Sequence, residues 1–266
     1  MRVLIVGVGG IGSFLGSYLL KGGFDLTFIA RGKRYKELKQ NGLKLISDLG
    51  NIYIKNIEVL EEIKSNESFD IILNTVKLYD FDFTLKEIKE KIKGSPIILP
   101  FQNGIYAEEK LRITDYYKQI FGAVAQISVF IESNNDIKHV GKLATFFVGC
   151  YDGNSNDVLN KFCESCNNLG LDIRFKTNIK EKIWDKFIFL SAYSGFTTLE
   201  EKSIGEIFDD TNLRRKFINA MKETFELSKT FNVSFSKDPV ETWLEKIEKM
   251  PYEMTSSMYL DFKNSK

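Results

Sequence analysis

Gly7, Gly9 and Gly12, in the stretch GVGGIG, are spaced as a phosphate-binding turn requires. They follow the apolar run VLIV and precede an amphipathic run that reaches Lys21. In such a setting the first glycine permits a tight turn out of a strand. The second lets the backbone approach a pyrophosphate, and the third lets the helix pack close to the strand. Val8, Gly10 and Ile11 complete the turn. Unpaired N–H groups at the start of the following helix then face an anion. The strand–turn–helix context gives the spacing its meaning. A glycine turn used only for packing is the competing explanation.

A second candidate is Arg31, about twenty residues beyond the third glycine. A carboxylate at that point accepts hydrogen bonds from the ribose hydroxyls of NAD and repels a 2′-phosphate. An arginine does the reverse, because its planar fork pairs with phosphate. Lys33 and Arg34 add positive charge, and Asp25 lies at the wrong end of the second strand. The coenzyme expected is therefore NADP, as NADPH, with a solvated surface arginine as the alternative.

Two further candidates sit at strand ends. Lys77 follows FDIILNTV, and Asn103, in Gln102-Asn103-Gly104, follows IILPF. Ligands gather at the carboxyl edge of parallel sheets, although a solvated loop lysine and an Asn-Gly turn remain open on the residues alone. Cys163 and Cys166 form a Cys-x-x-Cys, but no second pair accompanies them and His139 is the only histidine. A packing role is expected for all three, with no zinc or magnesium site.

The elements that must hold these residues can be read from the pattern. Strands are expected at 2–6, 26–30, 43–46, 53–59, 69–76 and 96–99. Helices are expected at 12–21, 35–41 and 83–92. This alternation predicts an α/β fold with a doubly wound parallel sheet of Rossmann type. Strand-like runs then cover 120–131 and 137–148, followed by a helix over 158–169 and a strand over 171–175. Past Thr177 the apolar spacing is helical, over 181–193, 213–230 and 239–249. Residues 1–176 are expected to form the coenzyme-binding domain, and residues 177–266 an all-helical substrate domain.

Lys and Arg total 37 against 36 Asp and Glu, a net charge of +1, so the balance gives no case for nucleic acid or an acidic membrane surface. No apolar stretch reaches the roughly 18 residues of a membrane span. The odd cysteine count and the strand at the very start of the chain lead to the expectation of a reducing, cytoplasmic setting.

Taken together, GVGGIG at 7–12, Arg31, TVKLYD at 75–80, QNG at 102–104, KHVGK at 138–142, EKIWDKF at 181–187 and SSMYLD at 256–261 resemble the ketopantoate reductase (2-dehydropantoate 2-reductase) family. The resemblance covers nearly the whole chain. It implies NADPH-dependent reduction of 2-dehydropantoate to pantoate, in pantothenate and coenzyme A biosynthesis, with a homodimer left open. It implies that Lys77 and Asn103 lie by coenzyme and substrate in a cleft between the domains. It also implies that Lys186 is the catalytic residue. Hydride addition to a ketone leaves negative charge on oxygen, which a nearby ammonium can stabilise and protonate. Lysine suits this task when partial burial lowers its pKa, and Lys186 stands among Ile183, Trp184, Phe187 and Ile188. On the residues alone, a lysine snorkelling from an amphipathic helix is equally open.

The chain also departs from the family. Asparagines are expected four and eight residues after the lysine, where this chain has Leu190 and Ser194. Ser194 remains a candidate substrate contact, as does Ser257 in the serine pair that matches the family, with a helix cap as the alternative role for the pair. The family pattern continues beyond Asp261 with further helical turns and a substrate-holding glutamate, whereas Lys266 is the last residue here. Two expectations stay open: the sequence is a fragment, or the helical domain lacks that glutamate and the final helices. Two rival functions follow: a reductase of another small 2-oxo acid, or a dinucleotide-binding protein without chemistry.

Overall fold

The first strand, β1 (Arg2–Val6), has four consecutive buried residues. A strand buried on both faces needs neighbours on both edges and cover above and below. The computed structural model, which describes residues 1–114 and 119–264, supplies both. Helix α1 (Gly10–Lys21) follows, then β2 (Asp25–Ile29), α2 (Gly32–Asn41), β3 (Leu43–Ser47), β4 (Ile52–Ile54) and β5 (Glu58–Leu60). Next come β6 (Glu67–Ser68), β7 (Ile71–Asn74), a 3-10 turn (Leu78–Asp80), α3 (Phe81–Lys91), β8 (Ile92–Lys93), β9 (Ile97–Pro100) and α4 (Tyr106–Ile113).

Strands β5, β2, β1, β7 and β9 lie in that order, all parallel. This order makes a Rossmann-type sheet, with the chain leaving β1 on one side and returning on the other. Helix α1 covers one face through Phe14, Leu15, Tyr18 and Leu19. Helix α3 covers the other through Phe81, Leu85 and Ile88. Each such side chain, fully buried, contributes roughly 1.5–3 kcal/mol.

A second sheet is built from β10 (Phe121–Ile131) and β11 (Ile137–Cys150), an antiparallel pair turning at Asn135, whose φ is +69°. One end of β11 pairs with β3 and the other with β12 (Asp172–Phe175), both parallel; β4 extends the β3 edge. Helix α5 (Asp157–Asn168) buries Leu159, Phe162, Cys163 and Cys166. The run expected as one strand over 53–59 is thus two strands serving two sheets, β4 against β3 and β5 against β2. Alternating residue types cannot reveal such a change of partner.

The chain divides into two compact units, Met1–Ile179 and Lys180–Lys266. The second is helical: α6 (Ile179–Leu199), α7 (Ile204–Asp209), α8 (Thr211–Thr230), α9 (Pro239–Ile247) and α10 (Ser257–Lys263). Its core gathers Ile188, Phe189, Tyr193, Phe217, Met221 and Trp243. The Phe189 and Trp243 rings stack at 4.2 Å. Trp243 Nε1 donates to the Asp185 carbonyl at 2.7 Å, fastening α9 to α6. Helix α6 runs six residues past the expected end at Tyr193; along that extension Phe196 packs against the helical core and Thr197 is buried.

Candidate active site

The glycine turn separates its three glycines physically. Gly7 has φ +90°, and a Cβ there would stand 2.6 Å from the Val76 nitrogen. A Cβ on Gly12 would meet the Gly7 carbonyl and lie 2.5 Å from Thr75 Oγ1. Gly9 differs, since nothing lies within 4 Å of its Cβ position. Gly7 and Gly12 therefore serve the fold, and Gly9 alone borders open space. Val8 is buried, while Gly10 is pressed against the Val129 carbonyl, where a Cβ would come within 2.6 Å, and Ile11 is half-buried. Helix α1 opens with neither a side-chain cap nor an acid in its first turn. Its positive end thus keeps its capacity for an anion.

β2 stops at Ile29, and Arg31 is the N-cap residue of α2 in extended conformation. Its side chain, 47% exposed, pairs with Glu87 and lies 4.8 Å over the Phe83 ring. Arg34 is the arginine that touches the glycine turn. Its Nε donates to the Val8 carbonyl at 3.0 Å, and an Nη donates to Ser13 Oγ at 3.1 Å. Burial pulls the Arg34 pKa below its ordinary value, an effect that the nearby Glu37 opposes. Lys33 points to solvent and faces only Glu37, at 3.6 Å. The basic cluster of the sequence is therefore two arginines with different surroundings. Only a neighbour in space, Val8, distinguishes Arg34 from Lys33.

Lys77 lies exposed just beyond β7 and opens the 3-10 turn; Asn103 lies exposed just beyond β9. Buried Gln102 joins these two strand ends. Its Nε2 donates to the Val76 carbonyl at 2.9 Å and to the Asn74 carbonyl at 3.1 Å. One amide thus fixes the residue before Lys77 from the residue before Asn103. The sequence alone does not mark Gln102 for this role. The available signal was a polar residue at the end of an apolar strand, which is too common to single it out.

In the second unit, Lys186, Leu190 and Ser194 are all half-buried on α6. Their four-residue spacing sets them along one face. Ser256 caps α10. Its buried Oγ accepts from the Tyr259 N–H at 3.1 Å and lies 2.7 Å from Thr197 Oγ1, to which it donates because the Thr197 hydroxyl proton goes to the Tyr193 carbonyl. Ser257, the next residue, is exposed at the first position of α10. The bond between Ser256 and Thr197 fastens the start of α10 to the C-terminal part of α6.

The sequence profile of the family described as ketopantoate reductase PanE/ApbA matches residues 3–153, and that of its C-terminal part matches residues 178–266. The chain belongs to the ketopantoate reductase family. It is 27% identical to the uncharacterized oxidoreductase YkpB of Bacillus subtilis (strain 168), over 99% of this chain and 86% of that protein. It is also 27% identical to a 2-dehydropantoate 2-reductase of Pyrococcus abyssi, over 93% of this chain and 80% of that protein. A crystal structure of 2-dehydropantoate 2-reductase from Methylococcus capsulatus shares the fold. It has a TM-score of 0.88 and 21% identity, covering 100% of this chain and 85% of that one.

Within this oxidoreductase family the remaining candidates of this chain are structural. The His139 ring is fully buried, with Nδ1 2.8 Å from Ser47 Oγ and Nε2 3.1 Å from the Leu143 carbonyl. Cys163 and Cys166 are buried free thiols. Burial pushes Cys163 up to about 12 and raises Cys166 as well, so both stay protonated and unreactive. Among the described residues, no group of three or more His, Cys, Asp or Glu is arranged to hold a metal, and no helix is long and apolar enough to cross a membrane.

Proposed function

We propose that the chain is an NADPH-dependent reductase of a small 2-oxo acid, with 2-dehydropantoate as substrate and pantoate as product. That activity would serve pantothenate biosynthesis. The observation that carries the reading is the glycine turn: open space at Gly9, an uncapped helix start, and two arginines at the adjoining edge of α2. These features suit a pyrophosphate and a 2′-phosphate. We assign the turn Gly7, Val8, Gly9, Gly10, Ile11 and Gly12 to the pyrophosphate, Arg31 to the 2′-phosphate, and Lys77 and Asn103 to the nicotinamide end and the substrate.

NADPH, when bound, supplies a hydride to the carbonyl carbon. The chain's own contribution is polar. The Lys186 ammonium stabilises charge gathering on the carbonyl oxygen and gives up the proton that completes the 2-hydroxy acid. Ser194 and Ser257 hold the substrate's polar groups. Gln102, through Val76, keeps Lys77 and Asn103 in register. Likeness to the Pyrococcus abyssi enzyme supports 2-dehydropantoate as substrate.

One observation favours a second reading. Leu190 and Ser194 stand where the family pattern carries asparagines, and a site without those amides discriminates differently among hydroxyl-bearing substrates. Reduction of another 2-oxo acid would follow. A panel of 2-oxo acids, followed by NADPH absorbance, separates the two. The first reading requires 2-dehydropantoate to give the highest kcat/KM; turnover only with other acids refutes it. Full turnover by Lys186→Ala refutes the assigned proton donor.

A further inference from the structure

Arg31 reaches across from α2 to α3, and what it meets there is ordered. Phe83, Glu87 and Lys91 are spaced four apart on α3, so they line one stripe of the helix. The Arg31 guanidinium lies over the Phe83 ring at 4.8 Å and pairs with Glu87 Oε2. Glu87 Oε1 accepts from Lys91 Nζ at 3.1 Å, and Lys91 in turn meets Glu62 at 3.1 Å. The Glu87 side chain is only 11% exposed, whereas Arg31 is 47% exposed. The ring fixes the plane of the guanidinium, the carboxylate takes one edge, and the open part faces solvent.

We propose that Glu87 is a specificity-determining residue for the coenzyme. It competes with the 2′-phosphate for Arg31 and so holds the preference for NADPH over NADH below what Arg31 alone would give. The inference rests on the NADPH reading above. Physically, a guanidinium shared with a carboxylate offers less net positive charge to an incoming dianion. The carboxylate itself also repels that dianion at short range, in a partly desolvated setting where screening is weak. Lys91 moderates the effect by sharing Glu87. NADH carries no 2′-phosphate and is blind to the whole arrangement.

The test is equilibrium titration of the full chain with NADPH and with NADH, read by coenzyme fluorescence, with a thermal melt of each variant. Glu87→Gln keeps an acceptor for Arg31 and removes the charge. It should tighten NADPH about threefold to tenfold and leave NADH within about twofold. Lys91→Gln frees Glu87 to lean on Arg31 and should weaken NADPH by about threefold, in the opposite direction. Because the effect acts through Arg31, the gain from Glu87→Gln should fall below about twofold in an Arg31→Ala background. An unchanged NADPH/NADH ratio in Glu87→Gln overturns the proposal. Weaker NADPH binding by that variant also overturns it, since Glu87 would then be a clip that presents Arg31. If Arg31→Ala abolishes the phosphate preference while Glu87→Gln changes nothing, only this inference falls. If Arg31→Ala leaves the preference intact, the assignment of Arg31 to the 2′-phosphate falls with it.

Discussion

Replacing the glycines of the turn one at a time should split a single motif into two phenotypes. At Gly9, φ is −78° and ψ is −161°, values that alanine adopts freely, and nothing lies within 4 Å of the added Cβ. Restricting the unfolded chain gains about 0.4–1 kcal/mol. Losing glycine for alanine at a helix N-cap costs about 0.5–1 kcal/mol, which offsets that gain. Gly9→Ala should therefore melt within about 2 °C of the wild type. Its methyl group would stand in the open space proposed for the pyrophosphate, so on that proposal the NADPH Kd should rise at least tenfold, about 1.4 kcal/mol. At Gly12 the arithmetic reverses. A Cβ there meets the Gly7 carbonyl and Thr75 Oγ1. Overpacking of that kind costs about 1–3 kcal/mol, against a helix-propensity gain of at most about 1 kcal/mol. The net loss of about 0–3 kcal/mol, with a midpoint near 1.5 kcal/mol, lowers Tm by about 3–6 °C at that midpoint in a unit of this size. Circular dichroism melts and fluorescence titration read the two quantities separately. A Gly9→Ala protein that melts as low as Gly12→Ala, or that binds NADPH like the wild type, refutes the division of roles.

Other outcomes follow from the same geometry. Lys186→Ala should lower kcat about 10²–10⁴-fold while leaving the NADPH Kd within about twofold, checked by steady-state rates and titration. Ser256→Ala removes the cap of α10 and the partner of Thr197, and should cost the chain about 1–2 kcal/mol in a denaturant melt. Ser257→Ala should cost almost nothing there but raise KM for the oxo acid. The thiols set a pH limit. Their folded pKa values are raised, so native Cys163 holds its proton between the ordinary value of 9.0 and about 12 while the unfolded chain releases it. That stabilisation is fully present below pH 9 and fades as pH rises through the window, on the order of 1 kcal/mol per pH unit. Tm should fall above pH 9, less steeply in Cys163→Val. A thiol reagent should leave Cys163 and Cys166 unlabelled in the native protein.

Much of the fold was legible because its signals are local. VLIV and the IILN within FDIILNTV are buried on both faces, so their composition alone marks central strands, and the glycine spacing marks the turn between β1 and α1. The partner change between β4 and β5 was not legible, since sheet membership is decided by residues distant in sequence. Helix α7 was missed although Ser203 and Glu206 form a capping box, because six residues show no periodicity. At the candidate site, residue types marked the glycines and Arg31 as candidates. They could not announce Glu87, Phe83 or Gln102, whose roles arise only when α3 and β9 meet the ends of neighbouring elements. Leu190 and Ser194 were legible only as departures from a pattern, which raises the question of substrate without answering it.

The most direct measurement is the initial rate of coenzyme oxidation at 340 nm with 2-dehydropantoate, run with NADPH and NADH at matched concentrations. The account predicts turnover with NADPH, a kcat/KM with NADPH at least tenfold above that with NADH, and loss of that advantage in Arg31→Ala. Turnover that favours NADH, or no oxidation of either coenzyme, would contradict it.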